Sequence, residues 1–174
     1  MKVINDDKWF ICKTGIAPIY FKSTFKSECV TELVFGESCL VLSIIKNWVK
    51  IRTDDEYEGF VNLFYGLIDL KRNNKKYWVV EPNTSGLFNP KYPFGSIVSN
   101  NVEGAVKKKE KFNMDLIIPT AKKLKGIPYR WGGKSSLGFD CSGFVQAVFK
   151  VCGLVIPRDS VDQLDFFGSS KISM

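Results

Sequence analysis

One cysteine of this sequence lies in a context typical of a reactive thiol. Cys141 follows a glycine-rich loop and stands between Asp140 and Ser142. Apolar residues recur after it at helical spacing, which predicts an amphipathic helix that begins at Cys141 and ends near Gly153. Unpaired N–H groups at a helix start stabilise a thiolate and hold the oxyanion that forms when it attacks a carbonyl. The pattern therefore indicates a cysteine nucleophile.

The other cysteines carry no such signal. Cys12, Cys29, Cys39 and Cys152 are predicted to be small, buried apolar residues. Five cysteines in 174 residues form an odd and sparse set, which excludes a fold built on disulfides.

The sequence contains no histidine. It therefore lacks the usual general base at neutral pH and the commonest metal ligand of proteins. No metal site and no cofactor are predicted, and every catalytic role has to be assigned without an imidazole from these 174 residues.

The chain is basic, with 25 lysines and arginines against 18 acidic residues and a net charge of +7. A basic surface favours anionic partners such as nucleic acid, cell-wall polymer or lipid headgroups. The basic runs at 71–76, 107–111 and 122–125 are predicted to be loops and solvated helix faces. No nucleic-acid-binding motif accompanies them, so nucleic acid is not a predicted partner.

Length and composition predict an ordinary globular chain of one domain or two small ones, with 45% hydrophobic residues. No apolar run is long enough for a membrane-spanning helix. Residues 1–8 are charged and lack an apolar centre, so we expect no signal peptide and a cytoplasmic location.

The N-terminal part has the alternation and residue types of short strands, at 8–12, 39–45, 48–52 and 60–62. It resembles a bacterial SH3-like (SH3b) domain in the order of its segments 17–20, 34–37, 47–51 and 57–61. We expect this β-barrel to occupy residues 1–66. Residues 67–112 are predicted to connect it to the next domain, with a strand at 77–80 and a turn cluster at 81–86.

From residue 113 onward the sequence is helical in character, with a helix expected from about Ile118 to Gly126. Residues 118–163 resemble the first part of an NlpC/P60 cysteine peptidase domain. The resemblance rests on the segments 126–133, 139–146 and 156–160, followed by Gln163. It implies hydrolysis of peptidoglycan stem peptides at the bond between γ-D-glutamate and a diamino acid, with Cys141 as nucleophile and Tyr129 assisting the oxyanion.

The resemblance also implies residues that bind the substrate. Asp140 and Ser142 match positions that help to hold a free N-terminal L-Ala, and Arg158 and Ser160 match a motif that contacts the D-Glu carboxylate. Tyr57, from the SH3-like unit, is expected to form a wall of the same pocket.

Simpler roles stay open for some of these residues. Tyr129 can serve to pack the helix against its loop, and Asp140 is an ordinary acidic N-cap. Arg158 can pair with Asp159 or Asp162 on the surface.

The sequence departs from the family after this point. Family members carry a histidine on a strand of the central sheet, several tens of residues after the cysteine, and residues 164–174 lose the family pattern and form a polar tail. The predicted fold is therefore α+β: an SH3-like β-barrel, then the N-terminal helical part of a papain-like NlpC/P60 domain (113–174) whose central sheet is largely missing. We expect Phe144, Val148 and Phe149 to be exposed or packed on the SH3-like unit.

Three interpretations remain. The chain is a family member truncated by a frameshift or by splitting of its gene, and is inactive alone. Alternatively it is an inactive module that binds cell-wall peptides, or a half-enzyme that a second chain completes with the missing histidine. The sequence leaves the activity of the chain open between them.

Overall fold

Seven antiparallel strands form the first half of the structure, a computed structural model that describes residues 8–79, 90–109 and 111–169. They are β1 (Trp9–Cys12), β2 (Ile16–Tyr20), β3 (Cys29–Val34), β4 (Ser38–Ile45), β5 (Trp48–Arg52), β6 (Glu58–Asn62) and β7 (Gly66–Asp69). The strands predicted at 8–12, 39–45, 48–52 and 60–62 are confirmed, with ends shifted by at most two residues. β3 was not predicted because its polar residues interrupt the alternation of polar and apolar residues. Its last four residues are nevertheless all buried.

The sheet curls on itself, as its strand order requires. The order is β3-β2-β6-β5-β4-β1-β7, so β3 and β4 lie four places apart. Four strand spacings amount to about 19 Å, whereas the connection through residues 35–37 reaches about 14 Å when extended. Backbone hydrogen bonds of 2.9 Å from Cys12 to Glu37 and from Gly36 to Cys12 hold β1 against this turn.

One apolar cluster fills the concave side of the curled sheet. Six strands contribute to it, and its ten buried members are Phe10, Cys12, Ala17, Ile19, Leu33, Cys39, Val41, Val49, Ile51 and Val61. Cys12 and Cys39 are buried here, as predicted. β7 pairs with β1 along its whole length, so the sheet continues to Asp69, past the boundary predicted at residue 66. The predicted domain boundaries themselves stay predictions.

The second half combines short strands with three helices. β8 (Tyr77–Val79), β9 (Ile97–Val98) and β10 (Ala105–Lys107) form one small sheet, and β11 (Lys134–Ser135) pairs with β12 (Gly138–Phe139). The helices are α1 (Ile117–Lys123), α2 (Cys141–Val151) and α3 (Ser160–Ser169). The predicted combination of sheet and helix is confirmed, whereas the turn cluster at 81–86 lies outside the described residues. Residues 164–169 belong to α3 and are not part of a polar tail.

The apolar face of α2 is covered, contrary to the expectation for Phe144, Val148 and Phe149. Val148 is only 2% exposed in a cluster that includes Trp78, Phe94, Ile97 and Leu124. Phe144 packs edge-on against Phe139, and Phe149 stacks on Phe112 with ring centroids 5.9 Å apart. The expectation was wrong because the connecting segment supplies Trp78, Phe94 and Ile97 to a second core. The strand predicted at 77–80 in this segment is confirmed for residues 77–79 by β8. Across the described residues no helix is long and apolar enough to cross a membrane.

Candidate active site

Cys141 is the first residue of α2, and its side chain is exposed. Asp140 is the N-cap with extended backbone, and its Oδ1 accepts the Gly143 N–H at 2.7 Å. The N–H groups of Cys141 and Ser142 have no acceptor within the helix because they belong to its first turn. The predicted position of Cys141 and the capping role of Asp140 are both confirmed.

The other four cysteines have environments unlike that of Cys141. Cys12, Cys39 and Cys152 are buried and Cys29 is half-buried. Burial raises the pKa of Cys12 to about 12 and also raises the pKa of Cys29, Cys39 and Cys152. These thiols therefore stay protonated and poorly nucleophilic at neutral pH. Cys141 is the one exposed thiol of the five, all of which lie in the described part of the chain.

A buried arginine holds the start of α2 against the sheet. Arg158 is 3% exposed and donates from Nη2 to Asp140 Oδ2 at 2.5 Å and from Nη1 to Ser142 Oγ at 2.7 Å. Its Nε donates to Thr31 Oγ1 of β3 at 2.8 Å. The alternative of a surface pair with Asp159 or Asp162 is therefore wrong. Arg158 pairs inside the protein with the residue that caps α2.

The glycine-rich loop before Cys141 is attached to the same group. Gly132 donates its backbone N–H to Asp140 Oδ2 at 2.9 Å, and the Asp140 N–H donates to the Gly133 carbonyl at 3.0 Å. Gly132 has φ +72°, and a Cβ there would lie 2.7 Å from the Cys29 carbonyl oxygen. The loop therefore needs glycine to approach β3 this closely.

Glu32, a buried carboxylate of β3, also binds this loop. Glu32 is fully buried, its Oε1 accepts the Lys134 N–H at 3.0 Å, and its Oε2 pairs with Arg130. Both partners belong to the segment that leads into Cys141. A strand of the first half of the chain therefore fixes the position of the loop that leads into Cys141.

Three further residues with predicted roles lie around this core of contacts. Tyr129 is 65% exposed, and its backbone forms a bridge with Phe139. Tyr57 is half-buried, and burial together with the negative charge of Asp159 raises its pKa. Ser160 is exposed at the start of α3. Among the described hydrogen bonds, none joins these three side chains to Cys141, and their roles stay predictions.

Sequence reasoning assigned no role to several residues that position the site. Thr31 and Glu32 were missed because no motif marks them, although a charged residue inside a run of strand formers is a usable signal. Gln163 donates to the Ser142 carbonyl at 3.0 Å and the Pro157 carbonyl at 2.9 Å. Gln146 donates to Asp55 Oδ2 at 2.7 Å. No group of three metal-binding side chains occurs in the described part of the chain.

Gly143 gives a test of how tightly α2 is seated. A Cβ at Gly143 would lie 2.2 Å from the Gly133 carbonyl oxygen. Alanine normally stabilises a helix relative to glycine by about 1 kcal/mol, but this clash is expected to make Gly143→Ala destabilising by about 2 kcal/mol in urea unfolding. Gly168→Ala in α3 is the matched control, because a Cβ there meets nothing within 4 Å. Gly168→Ala should raise the free energy of unfolding slightly. Changes of the same sign in the two variants would contradict the close contact of α2 with the Gly133 carbonyl.

Two families match separate parts of the chain. Residues 126–173 match the NlpC/P60 family, and residues 19–63 match the bacterial dipeptidyl-peptidase Sh3 domain. The first match contains Cys141 and the loop before it, and the second covers most of β2 through β6. The chain therefore contains one segment that matches the NlpC/P60 family and another that matches a bacterial SH3 domain, as the sequence predicted. The first match continues to residue 173, so the expectation that residues 164–174 lose the family pattern was wrong.

Individual relatives agree with this assignment. The gamma-D-glutamyl-L-lysine dipeptidyl-peptidase of Bacillus subtilis is 39% identical over an aligned region that covers 45% of this chain and 27% of that protein. The peptidoglycan endopeptidase RipB of Mycobacterium tuberculosis is 38% identical over an aligned region that covers 29% of this chain and 26% of RipB. Among solved structures, an NlpC/P60 endopeptidase from Photobacterium damselae subsp. piscicida shares the fold with a TM-score of 0.52 and 16% identity, over 90% of this chain and 45% of that one.

Proposed function

We propose that Cys141 is the nucleophile of a cysteine peptidase site for peptidoglycan stem peptides, directed at the bond between γ-D-glutamate and a diamino acid. The observation that carries the proposal is the exposed Cys141 thiol at the start of α2, beside two backbone N–H groups without helical acceptors. The curled sheet would be an SH3-like barrel that supports this site. The names of the relatives support the substrate class, which we transfer to this chain as part of the proposal.

The chemical steps assign a task to each group. Cys141 Sγ attacks the γ-carbonyl carbon, and the negative charge that develops on its oxygen is stabilised by the N–H groups of Cys141 and Ser142. The exposed Tyr129 hydroxyl is the proposed additional donor. The C–N bond then breaks, the amine of the diamino acid leaves with a proton, and water hydrolyses the thioester that remains on Cys141.

The contacts of the buried residues favour positioning roles over direct substrate contact. Arg158 already donates to Asp140, Ser142 and Thr31 and is almost fully buried. Within the substrate-binding set predicted from the resemblance, Ser160 and Tyr57 are the more accessible members. We therefore assign contact with the peptide first to Ser160 and Tyr57. Asp140, Ser142 and Arg158 would act by fixing the start of α2 that carries Cys141.

The proposed reaction needs a general base that these residues do not supply as a histidine. The 174 residues contain no histidine to take the thiol proton and return it to the leaving amine. The loss of one member of such a constellation costs several orders of magnitude in rate. The chain by itself is therefore proposed to be inactive or very slow. Its alternatives are a module that binds cell-wall peptides without turnover and a half-enzyme completed by a histidine from a second chain.

Chemical rescue tests the proposal and separates its alternatives. The purified chain is incubated with the peptide L-Ala-γ-D-Glu-L-Lys, with and without free imidazole, and the release of L-lysine is measured. Imidazole can supply the absent base, so we expect release to rise with imidazole concentration and to vanish in Cys141→Ala. Cys152→Ala, at the C-cap of the same helix and buried, is the matched control and should retain rescue.

Other outcomes discriminate between the interpretations. Saturable peptide binding without rescue would support the binding module. Hydrolysis by the chain alone, without imidazole and dependent on Cys141, would contradict the proposed need for an external base. Rescue that persists in Cys141→Ala would refute the assignment of the nucleophile.

A further inference from the structure

A cavity of about 430 Å³ lies between the curled sheet and the second half of the chain. Cationic side chains dominate its lining: Arg72, Lys75, Lys76, Lys108, Lys109, Lys134 and Lys150. Lys150 follows Cys141 in α2 by nine residues, a distance of about 13 Å along the helix axis. The cavity is therefore separate from the thiol, and its volume is in the range of small-molecule sites.

Strand pairing brings two basic runs of the sequence together at this cavity. Lys107 of β10 lies opposite Tyr77 of β8, and the Lys108 N–H donates to the Lys76 carbonyl at 2.7 Å. The runs 71–76 and 107–111 were predicted to be separate solvated loops. Their antiparallel pairing instead places Lys76 and Lys108 next to each other.

The charges of the lining do not cancel. Glu37 pairs with both Lys134 and Lys150, and Asp54 pairs with Arg72. Four lysines remain without a carboxylate partner among the described residues: Lys75, Lys76, Lys108 and Lys109. The remaining acidic lining residue is Asp55, which accepts from Gln146. The cavity therefore has an excess of positive charge.

Lys108 is the most constrained of these four lysines. It is half-buried, and its Nζ lies 4.2 Å from the centroid of the Trp78 ring. Burial, together with the positive charges of Lys150 and Arg72, lowers the pKa of Lys108 to about 8. A bound anion would offset the repulsion between these groups. Trp78 is itself only 9% exposed, and Lys150 Nζ also lies 5.7 Å from its ring centroid, so Trp78 holds both ammonium groups at the cavity.

We propose that this cavity binds a small organic phosphate monoester through Lys76 and Lys108. Lysine is a compact point charge with three donors and is a common phosphate ligand in proteins. Arg72, the arginine of the lining, is already held by both carboxylate oxygens of Asp54. A monoester carries close to two negative charges at neutral pH, which matches the excess of lysine.

Calorimetric titration of the full chain with glycerol 3-phosphate tests the proposal. We expect saturable binding at low ionic strength and a rise of about tenfold in the dissociation constant for Lys108→Gln. Lys107→Gln is the matched control, since it removes the same charge from the neighbouring exposed residue outside the cavity lining. It should change the dissociation constant by less than about twofold. Glycerophosphoglycerol, a diester with a single charge, should bind more weakly than the monoester.

The pH dependence separates a direct contact from a structural role. The groups that influence Lys108 are the cations Lys150 and Arg72 and the carboxylates Glu37 and Asp54. Lys108 loses its proton as the pH rises through about 8, so affinity should fall between pH 7 and 9 in the parent chain and not in Lys108→Gln. Cys141→Ser should leave binding unchanged, because the proposal does not depend on the peptidase site.

Two results would overturn the proposal. One is the absence of saturable binding of glycerol 3-phosphate at millimolar concentration by the folded parent chain. The other is equal weakening by Lys107→Gln and Lys108→Gln, which would indicate attraction to the general basic surface and no defined site.

Discussion

Glu32→Ala is expected to lower the free energy of unfolding by about 4 kcal/mol. Glu32 is fully buried, accepts the Lys134 N–H and pairs with Arg130 across the boundary between the sheet and the loop that leads into Cys141. Its removal leaves a partly buried guanidinium and a buried backbone donor without their acceptor, which costs far more than the loss of a surface ion pair. Urea unfolding monitored by tryptophan fluorescence measures the change.

Glu28→Ala is the matched control for Glu32→Ala. Glu28 contacts the same loop, because its Oε1 accepts from Trp131 Nε1 at 3.1 Å, but both side chains are exposed. An exposed contact of this kind contributes about 0.5 kcal/mol. Similar losses in the two variants would contradict the idea that the buried carboxylate of β3 anchors the loop.

Acid is expected to destabilise the fold through Glu37. Burial alone would raise its pKa, but Lys134 and Lys150 outweigh burial and hold the pKa at about 2, below the usual 4.5. Between pH 4.5 and 2 the unfolded chain therefore takes up a proton at this position before the folded chain does. The contribution of Glu37, about 3 kcal/mol, is present above pH 4.5 and is lost as the pH falls toward 2.

A comparison of pH profiles isolates the contribution of Glu37. Free energies of unfolding are measured for the parent chain and for Glu37→Gln from pH 6 downward in the acid range. Glu37→Gln is less stable at pH 6, because Lys134 and Lys150 lose their common partner. Its profile should fall less steeply in acid, so the two curves converge. Parallel curves would contradict a pKa of Glu37 that is lower in the folded than in the unfolded chain.

The parts of the fold that depend on local pattern could be predicted from the sequence. The strands at 39–45 and 48–52 follow from β-forming residues, and α2 follows from apolar residues at helical spacing after Cys141. The N-cap Asp140 was recognisable for the same reason, since its residue type and its place before the helix define the role. These features are set by neighbours along the chain.

The features that were missed depend on contacts between distant residues. Glu32 and Arg130 are 98 positions apart, and Arg158 and Thr31 are 127 positions apart. No periodicity relates such positions, so the buried contacts of Arg158 with Asp140, Ser142 and Thr31 were not predicted. The core around Val148 was missed likewise, because Trp78, Phe94 and Ile97 lie in a segment with little regular pattern.

Contacts of three carboxylates join the two halves of the chain. Glu32, Glu37 and Asp55, all from the curled sheet and its turns, contact Arg130, Lys150 and Gln146 of the second half. A buried carboxylate with defined partners favours one relative arrangement, because any other arrangement leaves a charge unpaired. The glycine-rich loop before Cys141 thereby acquires a fixed position on the curled sheet.

Acylation by an activated ester tests the central claim about Cys141 most directly. In the 4-nitrophenyl γ-ester of L-Ala-D-Glu the leaving group departs as an anion, so no general acid is needed, and hydroxide in a mildly alkaline buffer takes the thiol proton in place of the missing histidine. The mass of the intact chain should increase by a single acyl group, and peptide mapping should locate it on Cys141. Acylation spread over several cysteines, or a chain in which Cys141 remains unmodified, would contradict the account.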